Sequence, residues 1–368
     1  MRINNVKKWL WSLCIVLALI ACKDEKKEIE QTETRPVIKI GASFPLSGNM
    51  ASIGNAAHKA LTAAINDANE NPNNKYYYKL LVENDQMDPK LVNNIAHKYI
   101  FSDKVNVIFS YFSVANRVVA PLAAKHKVIN FNTGFGSDIL QSKYNFQNFL
   151  TYEAENEAII RFFEGENIRN VDLIYQNIGA ADQLLYPLQE MLEAKGIEYT
   201  VHRFNKEERD FSTLVYKIKN SPSQAVFIYA FEPEADILTK EIKRQEVGKI
   251  IAYNDGLPMT SDYALYEGYY NVGSVLTPDE YQEAWGLTGQ NAAYAAYLYD
   301  SGKIITDAFE NVPTLNKIPT ADEIADYLLN KKIFSGIVGE YKLDSIGQFH
   351  SKGQTSVVKN GRMVVYGE

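Results

Sequence analysis

Val105–Leu140, VNVIFSYFSVANRVVAPLAAKHKVINFNTGFGSDIL, is the stretch that decides the fold. Its β-branched apolar opening, Val105–Phe109, reads as a strand, and Ser110-Tyr111-Phe112-Ser113 as a polar turn. Val114–His126 follows with helix-forming composition, enough for about three turns. A second strand, Val128–Asn132, ends in Thr133-Gly134-Phe135-Gly136-Ser137. Two strands joined by one helix pair in parallel through a right-handed crossover. In an open sheet of that kind, ligands lie at the carboxyl ends of the strands, where helix N-termini offer free N–H groups. Ser113 is expected to cap the helix and add its hydroxyl to a ligand's carboxylate. Gly134 and Gly136 are expected to let the backbone approach the ligand, or to serve as turn glycines only.

The same alternation runs outward in both directions. Val37–Phe44 is a strand, Ala51–Asn69 an Ala-rich helix broken by Asn71-Pro72, and Tyr77–Glu83 a strand. After Asn148–Thr151 the pattern restarts. Helices are expected at Glu153–Glu164, Ala181–Lys195, Phe211–Lys219 and Glu232–Gln245. Strands are expected at Asn170–Tyr175, Glu198–Arg203, Ala225–Ala230 and Lys249–Tyr253. Asn271–Leu276 then leaves as a strand, helices cover Asn291–Glu310 and Thr320–Leu329, and Phe334–Tyr341 is a strand. Thr355–Val365 is a hairpin turning at Asn360-Gly361. The chain of 368 residues can therefore hold two α/β lobes, each with its own core. Two lobes joined by several strands describe a hinged binder.

The N-terminus reads as a targeting segment. Arg2, Lys7 and Lys8 precede the apolar run Trp9–Ile20, which is short for a membrane span. Leu19-Ile20-Ala21-Cys22 resembles a bacterial lipobox, so residues 1–21 are expected to be a lipoprotein signal peptide and Cys22 the lipidated residue. Lys23–Arg35 is almost wholly charged and polar, and residues 22–36 read as a flexible tether. The other cysteine, Cys14, lies inside the signal, which excludes an internal disulfide in the mature chain. A net charge of −7 argues against nucleic acid. The five histidines are scattered, and no zinc-protease, nucleophile-elbow, phosphate-loop or dinucleotide pattern is present. No enzyme, no cofactor and no metal are expected. Asp255, in Tyr253-Asn254-Asp255-Gly256, ends a strand, either as ordinary turn chemistry or as the counter-ion of a ligand's ammonium.

Several short motifs, in order, carry a resemblance: Ile38–Gly48 (IKIGASFPLSG), Asn84-Asp85-Gln86-Met87-Asp88-Pro89, Tyr297-Leu298-Tyr299-Asp300, and Phe334-Ser335-Gly336 through Gly339, Asp344, Gly347 and Asn360-Gly361. The chain resembles the type I periplasmic binding proteins of the leucine/isoleucine/valine-binding class, the receptors of ABC importers. The resemblance implies two doubly wound Rossmann-like lobes joined by three crossover strands, near Asn148–Thr151, Asn271–Thr277 and Gly336–Tyr341. Lobe 1 would comprise residues 37–150 and 278–338, and lobe 2 residues 151–277 and 339–368. It implies that Ser113 meets the carboxylate of an amino-acid ligand, and that Gly134 and Asp255 meet its ammonium. Phe231 would be a ligand-contacting aromatic. It also shows departures: Gly136 stands where the family has threonine, Ala180 where it has a closing tyrosine, and Asp255 is one methylene shorter than glutamate. Tyr111 and Phe112 are expected to refill that space. The segment between Thr277 and Tyr299 is shorter than the family's, which would open the rim there. The implied function is a lipid-anchored, monomeric receptor in the cell envelope, taking an amino acid or related small polar solute to ABC permease subunits. The alternative is an envelope lipoprotein of the same fold that activates an enzyme or serves as a sensor subunit.

Overall fold

A computed structural model describes residues 35–134, 139–178, 181–255, 257 and 262–367. Trp9–Ile20, Cys22, Gly136 and Ala180 lie outside the described residues. Among those described, no helix is long and apolar enough to cross a membrane.

The first half builds β1 (Val37–Phe44), α1 (Ala51–Glu70), β2 (Tyr77–Asn84), α2 (Pro89–His97), β3 (Val107–Tyr111), α3 (Phe112–His126), β4 (Ile129–Thr133) and β5 (Asn145–Asn148). The second builds α4 (Tyr152–Gly165), β6 (Asn170–Gln176), α5 (Ala181–Ala194), β7 (Glu198–Phe204), α6 (Ser212–Lys219), β8 (Ala225–Tyr229), α7 (Glu234–Arg244), β9 (Ile250–Tyr253) and β10 (Tyr270–Gly273). The chain then returns through α8 (Asp279–Trp285), α9 (Gly289–Asn311), α10 (Ala321–Lys331), β11 (Ile333–Gly336), β12 (Gly339–Leu343) and β13 (Gln348–His350). It finishes with the hairpin β14 (Gln354–Lys359) and β15 (Arg362–Val365).

The strands form two sheets, ordered β11-β12-β13-β5-β4-β3-β1-β2 and β15-β14-β10-β9-β8-β6-β7. β1 to β5 and β6 to β10 pair in parallel, in the same 2-1-3-4-5 winding. Strands so wound, buried on both faces, read as continuous apolar runs. Val107–Tyr111 and Ala225–Tyr229 are buried throughout. Each sheet has apolar clusters on both faces. Val107, Phe109 and Tyr341 belong to one cluster of the first sheet, and Ile108, Val119 and Tyr99 to the other. Leu173, Phe227 and Leu188 oppose Ile174, Ile228 and Leu238 in the second.

Side-chain caps set several helix starts. Asp88 accepts from Lys90 N before Pro89, Thr151 from Ala154 N, and Thr320 with Glu323 forms a reciprocal capping box. Asn360 and Gly361 both take positive φ at the closing hairpin.

The chain passes between sheets after β5, after β10, and at His350–Gln354. The last passage corrects the expectation of Gly336–Tyr341. There the chain makes a hairpin instead, β11 against β12, and β12 and β13 stay in the first sheet. Residues 339–350 therefore pack with lobe 1. Asp300 enforces this turn: buried, it accepts from Ile337 N at 2.9 Å, Val338 N at 3.1 Å and Tyr341 Oη at 2.6 Å. The segment after Thr277, shorter than the family's, still carries a helix. This is α8, whose Trp285 is buried against Tyr281 and Tyr299.

Candidate functional site

The carboxyl ends of β3 and β4 in the first lobe, and of β6, β8, β9 and β10 in the second, carry the candidate residues. β3 runs straight into α3, with Tyr111 in the flanking place and Phe112 as the first helical residue. Ser113 therefore sits inside the first turn and is not the cap, correcting that expectation. Phe112 adopts φ of +62°, a left-handed conformation that bulky residues rarely hold and that clusters at binding sites. Gly134 lies directly beneath this junction: a Cβ there would fall 3.1 Å from Phe112 Cα, Phe112 C and Ser113 N. Only glycine allows that approach without a shift. Tyr111 is buried, packs its ring 4.4 Å from that of Phe112, and has no hydrogen-bond partner for its hydroxyl among the described residues.

In the second lobe, Asp255 follows β9 and is 3% exposed. Its carboxylate accepts from Ser274 N at 2.9 Å and Ser274 Oγ at 2.7 Å, just past β10. A Cβ on Gly273 would lie 2.5 Å from Asp255 Oδ1, so the strand backbone closes over the carboxylate. The Asp255 N–H donates to Glu155 Oε1 at 3.5 Å, which places a second carboxylate against it. Tyr294 of α9, which packs in the core of the first lobe, hydrogen-bonds to Asp255 from across the cleft. Burial pushes the Asp255 carboxyl up to about 6, against the opposing Ser274 and Tyr294 hydrogen bonds. Burial, and then the charge of Asp255, raise Glu155 well above the usual glutamate range. Tyr294 rises through burial and the same negative neighbours.

Phe231 is half-buried and meets Tyr229 edge-on at 5.5 Å; its N–H donates to Gln176 Oε1 at 3.0 Å. Tyr229 stacks on Tyr175, ring centroids 5.3 Å apart and 11° between planes. The negative charge of Glu155 raises both tyrosines further, after burial.

The structure thus gathers the expected residues into two groups. Tyr111, Ser113 and Gly134 share one lobe; Phe231 and Asp255 share the other. Tyr294 of the first lobe hydrogen-bonds to Asp255 and also feels the Tyr111 hydroxyl. Sequence reasoning missed Glu155, Ser274 and Tyr294. For Glu155 a signal exists: with Ile159, Phe162 and Phe163 it falls on the buried face of α4. No group of three or more His, Cys, Asp or Glu among the described residues could hold a metal.

Two doubly wound lobes thus bring buried polar groups together at the carboxyl ends of their strands, where ligands lie in open α/β sheets. The chain belongs to the periplasmic binding proteins: the family profile of that description matches residues 37–358. Leu/Ile/Val-binding protein homolog 2 of Brucella abortus is 21% identical over 328 residues, covering 84% of this chain and 87% of its own. The structure of LivJ from Streptococcus pneumoniae in complex with isoleucine superposes with a TM-score of 0.72 at 18% identity, over 89% of this chain and 97% of that one. A solute-binding protein of an ABC transporter from R. palustris, in complex with benzoate, gives 0.70 at 15% identity, over 90% and 96%. These relatives are binding proteins, and the ligands in their complexes vary.

Proposed function

We propose that the protein is the solute receptor of an ABC importer, capturing an amino acid or a related small polar solute by closure of its two lobes. One observation carries this reading: Asp255, buried and fixed by Ser274 on one lobe, is reached by Tyr294 from the other. A solute anchored at Asp255 would touch both lobes only when they are closed. Closure is then favoured by the difference in affinity between the two states. Ser113 and Gly134 on the facing lobe would supply an N–H group and a hydroxyl, and Phe231 and Tyr111 apolar and phenolic contact; Gly136 and Ala180 remain candidates by the resemblance alone. Lipidation at Cys22 would hold the protein in the cell envelope beside its permease subunits. The test is thermal unfolding of the purified protein with a panel of L-amino acids, amides, amines and small organic acids. A solute at 100 times its Kd is expected to add about 2.7 kcal/mol of stability. A panel without a single shift would reject the receptor reading.

A further inference from the structure

We propose that the solute is a net cation, an organic amine or guanidine whose positive group lies between Glu155 and Asp255 against a wall of tyrosines. This rests on the receptor reading and narrows its solute. The Glu155 carboxylate accepts from the Asp255 backbone N–H and feels the Asp255 charge, and the two acids are 1% and 3% exposed. Two adjacent carboxylates withdrawn from water are unfavourable unless a cation enters or a proton is retained. Glu155 has no cationic partner among the described residues. In the empty protein a retained proton relieves the pair, and a cationic solute would take that proton's place.

The surroundings favour an organic cation. Tyr152 on α4, the stacked pair Tyr175 and Tyr229, and Tyr294 all feel the Glu155 charge. Aromatic faces attract ammonium and guanidinium groups, most strongly where water is excluded. Tyr175 Oη is fully buried, feels the charge of Glu155 and, with the opposite sign, that of Arg203, and has no hydrogen-bond partner among the described residues. It offers an acceptor for a further ligand N–H. A zwitterion brings one negative group with its positive one and leaves the carboxylate pair in excess. A diamine or a guanidine does not.

Four probes test this by calorimetry and thermal unfolding: agmatine and putrescine as cations, L-leucine and benzoate as a zwitterion and an anion. Agmatine or putrescine is expected to bind, and Glu155→Gln to weaken that binding by about tenfold or more, the effect of losing a charged partner. Binding of either cation near pH 6 is expected to release protons, read as a dependence of the heat on buffer ionisation. This second readout needs no variant. Cation binding that is unchanged in Glu155→Gln, or that releases no protons, overturns the inference. L-leucine or benzoate binding more tightly than either cation overturns it too, but leaves the receptor reading standing. Failure of these four and of the whole wider panel removes both.

Discussion

Replacing Asp255 with asparagine should make the empty protein more stable at neutral pH, and the reason lies in the direction of its pKa. Burial raises the carboxyl to about 6, about two pH units above an ordinary aspartate at ~3.9. At 1.36 kcal/mol per unit, ionising it in the folded state costs about 3 kcal/mol, undiscounted because the group is 3% exposed. Below the unfolded pKa, both states hold the proton and the cost is absent. Between about 4 and 6 the folded state keeps a proton that the unfolded state has lost, so stability falls as pH rises. Above about 6 the whole cost applies. The asparagine side chain of the variant never ionises. It would still accept from Ser274 N but lose the charge-assisted bond, at about 1 kcal/mol. The expected balance at pH 7.5 is a variant more stable by about 2 kcal/mol, and at pH 4.5 a variant equal or slightly weaker. Relief of Glu155, which Asp255 raises, acts in the same direction. Urea unfolding of both proteins at the two pH values reads this directly. Acids whose pKa is lowered, Asp172 and Glu234, tilt both curves alike and cancel in the comparison. A wild-type-minus-variant difference that does not change with pH, or a variant weaker at both values, would mean that Asp255 carries no cost of ionisation in the folded state.

Gly134→Ala forces a Cβ to within 3.1 Å of backbone atoms of Phe112 and Ser113. A loss of about 1–3 kcal/mol in urea unfolding is expected, with weaker solute binding by calorimetry. Gly336→Ala places a Cβ 2.2 Å from the Asp300 carboxyl carbon. The three hydrogen bonds that Asp300 accepts should break, for a loss of about 2–4 kcal/mol, while a solute bound at Asp255 keeps its affinity. Cys22→Ala is expected to move the protein from the membrane to the soluble fraction on cell fractionation. Retention at the membrane would contradict a lipid anchor.

The alternating winding was legible because buried parallel strands must be apolar and their connections helical. Local chemistry also told where it acts within a few residues, as with the Thr320 capping box and the Asn360-Gly361 hairpin. The third crossing was not legible, since Ile333–Leu343 and Gln348–His350 are strands whichever sheet they join. Asp300 fixes the turn from far along the chain. Ser113 looked like a cap because serine favours that place, but left-handed Phe112 starts the helix one residue earlier. Asp255 was legible as a strand-end acid. Glu155 was passed over because an acid in a helix's first turn is ordinary, although its spacing from Ile159, Phe162 and Phe163 marks the buried face of α4. Tyr294 reads as a core residue of α9, and only the placement of two lobes brings its hydroxyl to Asp255.

A solute held between the lobes must depend on Asp255. Calorimetric titration of wild type and Asp255→Asn with the best-stabilising solute of the panel tests it most directly. Saturable one-to-one binding, weakened by about tenfold or more in the variant, is the expected result. Equal affinity in the two proteins would place the solute elsewhere and contradict the claim.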